Sequence, residues 1–142
     1  MLPRRVVVAR QLLATAGWLL AAAVLVQIFL AGRAVFVSPD LWQQHRAFVH
    51  TFEWLSPAAV VLAHLGRTAR LTKVLAWLTV ALIFMQYATA GTQSSLGRAG
   101  LAAIHPVTAV LLFWAAVELA RRARADQKRD SSTTDTTRPA AG

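Results

Sequence analysis

The stretch LLATAGWLLAAAVLVQIFLA, residues 12–31, decides the class of this chain. Only Thr15, Gly17 and Gln27 interrupt its apolar run. Wound as a helix rising about 1.5 Å per residue, it covers the roughly 30 Å of hydrocarbon in a bilayer. Three further stretches of similar length follow at residues 47–65, 71–91 and 99–120. The reading is therefore all-α: a transmembrane up-down four-helix bundle in residues 1–124, multi-pass in the cell membrane. A secretory signal has a shorter apolar core of about 7–15 residues and a small-residue cleavage site, so the first stretch is expected to be retained as a span.

Composition agrees with that class. The chain has 142 residues, 56 % of them apolar, and a mean hydropathy of +0.49, which is high for a water-soluble fold of this size. Its formal charge of +9 does not argue for nucleic acid, because the basic residues gather at the ends of the apolar stretches instead of along a face with interleaved aromatics. The sequence has no cysteine, which excludes disulfides, thiolate metal sites, iron–sulfur clusters and covalently attached haem. No phosphate-binding loop, zinc-protease helix or nucleophile elbow is present.

The placement of Lys and Arg sets the expected orientation. Twelve (Arg4, Arg5, Arg10, Arg67, Arg70, Lys73, Arg121, Arg122, Arg124, Lys128, Arg129 and Arg138) fall on one side of the four stretches, and three (Arg33, Arg46 and Arg98) on the other. Positive loops stay inside, so both termini are expected to be cytoplasmic. Residues 125–142, rich in Asp, Ser, Thr and Arg, read as a disordered cytoplasmic tail. The outer connection, residues 32–46, contains Ser38-Pro39-Asp40 followed by Trp42, a turn or helix-start pattern that suggests a short surface helix. No internal repeat is evident.

Counting from the cytoplasmic ends brings one polar residue per stretch to nearly one depth. Gln27, Gln86 and His105 lie 15 residues up and His50 lies 16, roughly 22–24 Å above the inner boundary. Polar side chains in hydrocarbon are costly unless partnered, so these four should turn inward. One reading is a hydrogen-bonded layer that organises the helices or binds a partner protein without catalysis. The other is that His50 and His105 are the axial ligands of one b-type haem, with Gln27 and Gln86 as neighbouring contacts, in a protein that passes electrons to or from a quinone or another redox partner.

Other polar residues offer alternatives. His50 and His64 are 14 residues apart and return to within about 40° of one helix face, a spacing loosely similar to that of the ligand helices in membrane b-type cytochromes; Leu119 occupies the corresponding second position after His105. His45 is expected at the outer interface, as a substitute ligand or proton entry group. His64 is expected at the inner interface and Glu118 to extend toward water. Glu53, three residues after His50, offers a two-histidine, one-carboxylate metal site with His105, or proton chemistry beside a quinone. Pro57 should bend the second stretch near Glu53. Pro106 either bends the fourth or marks its first turn. Trp18, Trp77 and Trp114 read as an inner aromatic belt.

Residues 26–32 (VQIFLAG), the His45/His50 pair, Gln86 and residues 101–107 (LAAIHPV) together resemble a family of small four-span bacterial membrane proteins without an assigned biochemical function. The resemblance covers about residues 10–122. It implies the same architecture and importance for these positions, and it names no reaction. Thr108 stands where that family usually has Asn, and Glu53 is not one of its characteristic positions.

Overall fold

A computed structural model describes residues 2–90 and 102–136, with side chains as far as residue 129. All its regular elements are helical: α1 (Arg4–Phe36), a 3₁₀ turn (Pro39–Leu41), α2 (Trp42–Phe52), α3 (Leu55–Leu65), α4 (Arg70–Ala90) and α5 (Ile104–Thr136). Three helices, α1, α4 and α5, are long and apolar enough to cross a membrane. The predicted limits at residues 91 and 99–101, together with Arg98 and Arg138, lie outside the described residues.

The second apolar stretch is two helices, and Pro57 accounts for the break. A proline in a helix lacks an N–H and clashes with the carbonyl four residues earlier. For Pro57 that residue is Glu53, and Glu53 and Trp54 form the turn between α2 and α3. The helix also begins before residue 47. Pro39 opens the 3₁₀ turn, so the suggested surface helix and the start of the second stretch form one continuous approach.

The last helix departs from expectation in the opposite sense. Residues 125–136, read as disordered tail, continue α5 as helix to Thr136. Asp126 ties the start of this segment to the rest of the bundle. Its Oδ2 accepts hydrogen bonds from the Ala69 amide at 3.2 Å and from Thr72 Oγ1 at 2.9 Å, capping the start of α4 from a neighbouring helix. Arg10 completes this end. It is buried, and its guanidinium donates to the carbonyls of Gly66 (2.7 Å), Asp126 (2.7 Å) and Arg67 (3.4 Å). Arg67 takes a left-handed φ of 46° to turn the chain there. Arg10, counted from sequence as a flanking charge, is thus an internal tie between α1, the α3–α4 turn and α5.

Packing closes into a ring in which α1 and α4 each lie against α3 and α5. Small residues make close approach feasible. Ala63, Ala76, Ala115, Ala116, Ala120 and Ala123 are fully buried, and a Cβ on Gly17 would come within 2.9 Å of Ala120 Cβ. Large apolar side chains face outward, with Phe29 64 % and Phe84 71 % exposed. This arrangement of small residues inside and large ones outside is how helices associate when the surrounding medium is itself apolar. Two buried clusters fill the interior, one around Leu13, Leu75 and Leu119, the other around Leu20, Phe52 and Leu112.

The remaining sequence expectations concern the Arg10 end. Glu118 pairs with Arg122 at 2.7 Å, and His64 is exposed and donates through Nδ1 to the Val60 carbonyl at 2.8 Å. Trp77 and Trp114 are exposed, while Trp18 carries Arg124 over its ring at 5.4 Å, a cation–π contact suited to an interface.

Candidate functional site

At the opposite end the helices enclose a cavity of about 420 Å³ whose walls are mainly apolar, with Val24, Ile28, Val49, Phe52, Ile83 and Leu112 among them. Its polar lining includes all four residues of the predicted layer, Gln27, His50, Gln86 and His105, together with His45, Arg46 and Tyr87. The four residues thus share one cavity, although the pairing within it differs.

His45 and His105 are ring neighbours, their centroids 6.4 Å apart and their planes inclined by 58°. His50 has Tyr87 as its ring neighbour, at 6.3 Å. The expected pairing of His50 with His105 is therefore replaced by His45 with His105. Helix geometry gives the reason: five residues separate His45 from His50, so they lie about 140° apart around α2. Both line the cavity, but they meet different partners there: His45 meets Gln27 and His105, and His50 meets Tyr87.

The contact of Gln27 with His45 is reciprocal. Gln27 Nε2 donates to the His45 carbonyl at 2.8 Å, and His45 Nδ1 donates to the Gln27 carbonyl at 3.1 Å. Across the cavity, Gln86 Nε2 donates to the His105 carbonyl at 3.2 Å and to Thr108 Oγ1 at 3.1 Å. Thr108 thus joins the layer as an acceptor. His105 Nδ1 lies 3.0 Å from Thr89 Oγ1. Pro106 sits in the first turn of α5, where a missing N–H costs no helix bond.

These bonds fix the tautomers. A carbonyl can only accept, so His45 Nδ1 carries the proton. The shortest contact of the Thr89 hydroxyl is to the Met85 carbonyl at 2.7 Å, and with its single proton donated there, Oγ1 accepts from His105 Nδ1. In each neutral ring Nε2 is then a lone-pair nitrogen, and neither Nε2 has a hydrogen bond among the described residues. Anchoring one ring nitrogen while leaving the other basic is how proteins prepare histidine as a metal ligand. Gln27 Oε1 is also buried without a hydrogen-bond partner among the described residues, an arrangement that costs free energy unless another group donates to it.

Glu53 takes a separate place. It accepts from the Tyr87 hydroxyl and lies 3.3 Å from His50 Nδ1. Among the described residues no three or more His, Cys, Asp or Glu side chains gather as a ligand set. The alternative centre of His50, Glu53 and His105 therefore does not assemble: Glu53 and His50 turn toward Tyr87, and His105 turns toward His45.

A signal for the correct pair does exist in the sequence, apart from depth. Gln27-x-x-x-Ala31-Gly32 is followed by His45, and Gln86-x-x-x-Ala90-Gly91 by His105. The Gln-to-His intervals are 18 and 19 residues. This short repeat, which corrects the expectation of none, pairs His45, not His50, with His105.

Comparison with known proteins supports the family resemblance. Residues 27–93, a little under half of the chain, match the model of a family of unknown function, DUF6220. The matched segment contains Gln27, His45, His50 and Gln86 and stops before His105. No curated protein and no solved structure matches this chain.

Proposed function

We propose that this chain is a multi-pass protein of the cell membrane that holds one b-type haem between His45 and His105 and serves in electron transfer. In this reading α2 and α3 form a broken second crossing, the bundle runs up-down, and both termini are cytoplasmic. The charge distribution and the ties joining Arg10 to Gly66 and Asp126 support that topology.

The observation that carries the haem reading is the facing pair of imidazoles, each fixed through Nδ1 and each retaining a basic Nε2. Two metal–imidazole bonds of roughly 2 Å fit between rings whose centroids are 6.4 Å apart, and the apolar lining suits a porphyrin. His45 and His105 would supply the axial nitrogens, and the bound group would supply one-electron redox chemistry. Gln27 and Gln86 act through the main chain to fix the positions of the ligand residues. Glu53 no longer enters as a metal ligand.

Absorption spectroscopy of full-length protein purified from haem-replete cells tests the reading. A Soret band is expected, lost in His45→Ala and in His105→Ala and retained in His50→Ala. A colourless protein, or a band indifferent to His45 and His105, would overturn it.

A second reading has support from the Gln–His bonds themselves, since they already satisfy the histidine carbonyls without a ligand. The layer would then be a non-catalytic register device, contributing about 0.6–2 kcal/mol per contact. In that case the same histidine variants would lower the unfolding temperature of a protein that never binds haem.

A further inference from the structure

At the rim of the cavity, His50, Glu53 and Tyr87 form a closed triangle that the haem reading does not use. The Tyr87 hydroxyl donates to Glu53 Oε2, and His50 Nδ1 is 3.3 Å from Glu53 Oε1 and 3.3 Å from the Tyr87 oxygen. The carboxylate is the acceptor of this group, so His50 Nδ1 donates and its Nε2 keeps a lone pair. The His50 and Tyr87 rings are stacked, with an interplanar angle of 26°. Both line the cavity, and the His50 side chain is 64 % exposed. A carboxylate-anchored histidine with a free basic nitrogen thus stands where an apolar chamber meets its surroundings.

We propose that this rim binds the head ring of a lipid-soluble hydroquinone, one ring hydroxyl donating to His50 Nε2. The proposal rests on the membrane placement of the chain and not on the presence of haem. Chemistry selects this class of ligand. A phospholipid phosphate would meet the Glu53 carboxylate as a like charge. A metal cation would find one carboxylate already engaged by Tyr87 and His50. A neutral ring with a hydroxyl donor satisfies the free nitrogen and buries its carbon face against the apolar wall. The exposed side chains of Ile28 and Val110, which also line the cavity, offer an apolar path for a lipid tail. The triangle holds the histidine in one orientation, so ligand binding need not order it.

The test is a titration of full-length protein in detergent with decylubiquinol under anaerobic conditions, followed by tryptophan fluorescence. Saturable quenching is expected, with affinity at least tenfold weaker in His50→Ala and also reduced in Tyr87→Phe, which keeps the ring and removes only the hydroxyl. The dimethyl ether of the same compound, which has no hydroxyl to donate, should bind the natural protein at least tenfold more weakly and should not distinguish it from His50→Ala. Unchanged unfolding temperatures would show both variants to be folded. Absence of saturable binding, or equal decylubiquinol affinity in all three proteins, would overturn the proposal. Absence of a Soret band would remove the haem reading alone, since the titration does not depend on haem.

Discussion

Gln27 and His45 hold each other from both directions: the amide of one donates to the main chain of the other at 2.8 Å, and the imidazole donates back to the main chain of Gln27 at 3.1 Å. Two bonds between α1 and α2 therefore depend on one pair of residues. Removing the amide leaves the His45 carbonyl without that donor and frees the ring to turn. Gln27→Leu, similar in size, is expected to destabilise the protein by about 1–2 kcal/mol. Gln86→Leu should behave alike because it breaks the corresponding contact to His105. Chemical unfolding in mixed detergent measures both, and a neutral effect of either would contradict the equivalence of the two halves.

Close approach of α1 and α5 depends on the missing side chain at Gly17. Its Cβ would meet Ala120 Cβ at 2.9 Å and the Ala116 carbonyl oxygen at 3.1 Å. Backbone and alanine atoms cannot swing aside, so Gly17→Leu should separate the helices at a cost of about 1–3 kcal/mol. Gly32→Ala provides the control. Nothing lies within 4 Å of its added carbon, and alanine is the better helix former by up to about 1 kcal/mol. Thermal unfolding should move down for the first variant and slightly up for the second.

Arg10 is 6 % exposed and donates to three carbonyls, two in the α3–α4 turn and one within α5. Arg10→Leu should cost about 3 kcal/mol, since it leaves buried acceptors without their charged donor. Asp126→Ala should cost less, about 1–2 kcal/mol, because it removes the cap on Ala69 and Thr72 while retaining its own main-chain carbonyl for Arg10. The order of the two unfolding temperatures is the critical result. A larger loss for Asp126 would assign the main tie to the carboxylate instead of the guanidinium.

The absence of cysteine permits a direct test of sidedness. Ser38→Cys in intact cells should react with a membrane-impermeant maleimide, whereas Ser132→Cys should react only after the membrane is opened. The reverse pattern would invert the orientation derived from the Lys and Arg distribution.

Length and apolar content make the three long helices legible, and counting from the ends of the apolar stretches picks out four residues that line one cavity. Azimuth is harder to read. By that count His45 lies five residues, about 7.5 Å, further out than His50, and the preference for it depends on Gln27 reaching a main-chain carbonyl, which hydropathy does not encode. The repeated Gln-x-x-x-Ala-Gly pattern is the one sequence feature that makes the choice. The break at Glu53–Trp54 is foreshadowed by Pro57, whose steric effect is local. Arg10 and Asp126 are obscured for a different reason: their polar character agrees equally well with a solvated flank and with an internal tie, and only the contacts between distant segments separate the two.

The tie at Asp126 also bears on the order in which the protein is made. Asp126 caps α4 and accepts from Arg10 of α1, so α1 acquires a partner that follows it by 116 residues in the chain. During synthesis α1, α3 and α4 are complete before Asp126 arrives, and this corner stays open until then. A chain halted just short of residue 126 would consequently be left unlatched at this corner.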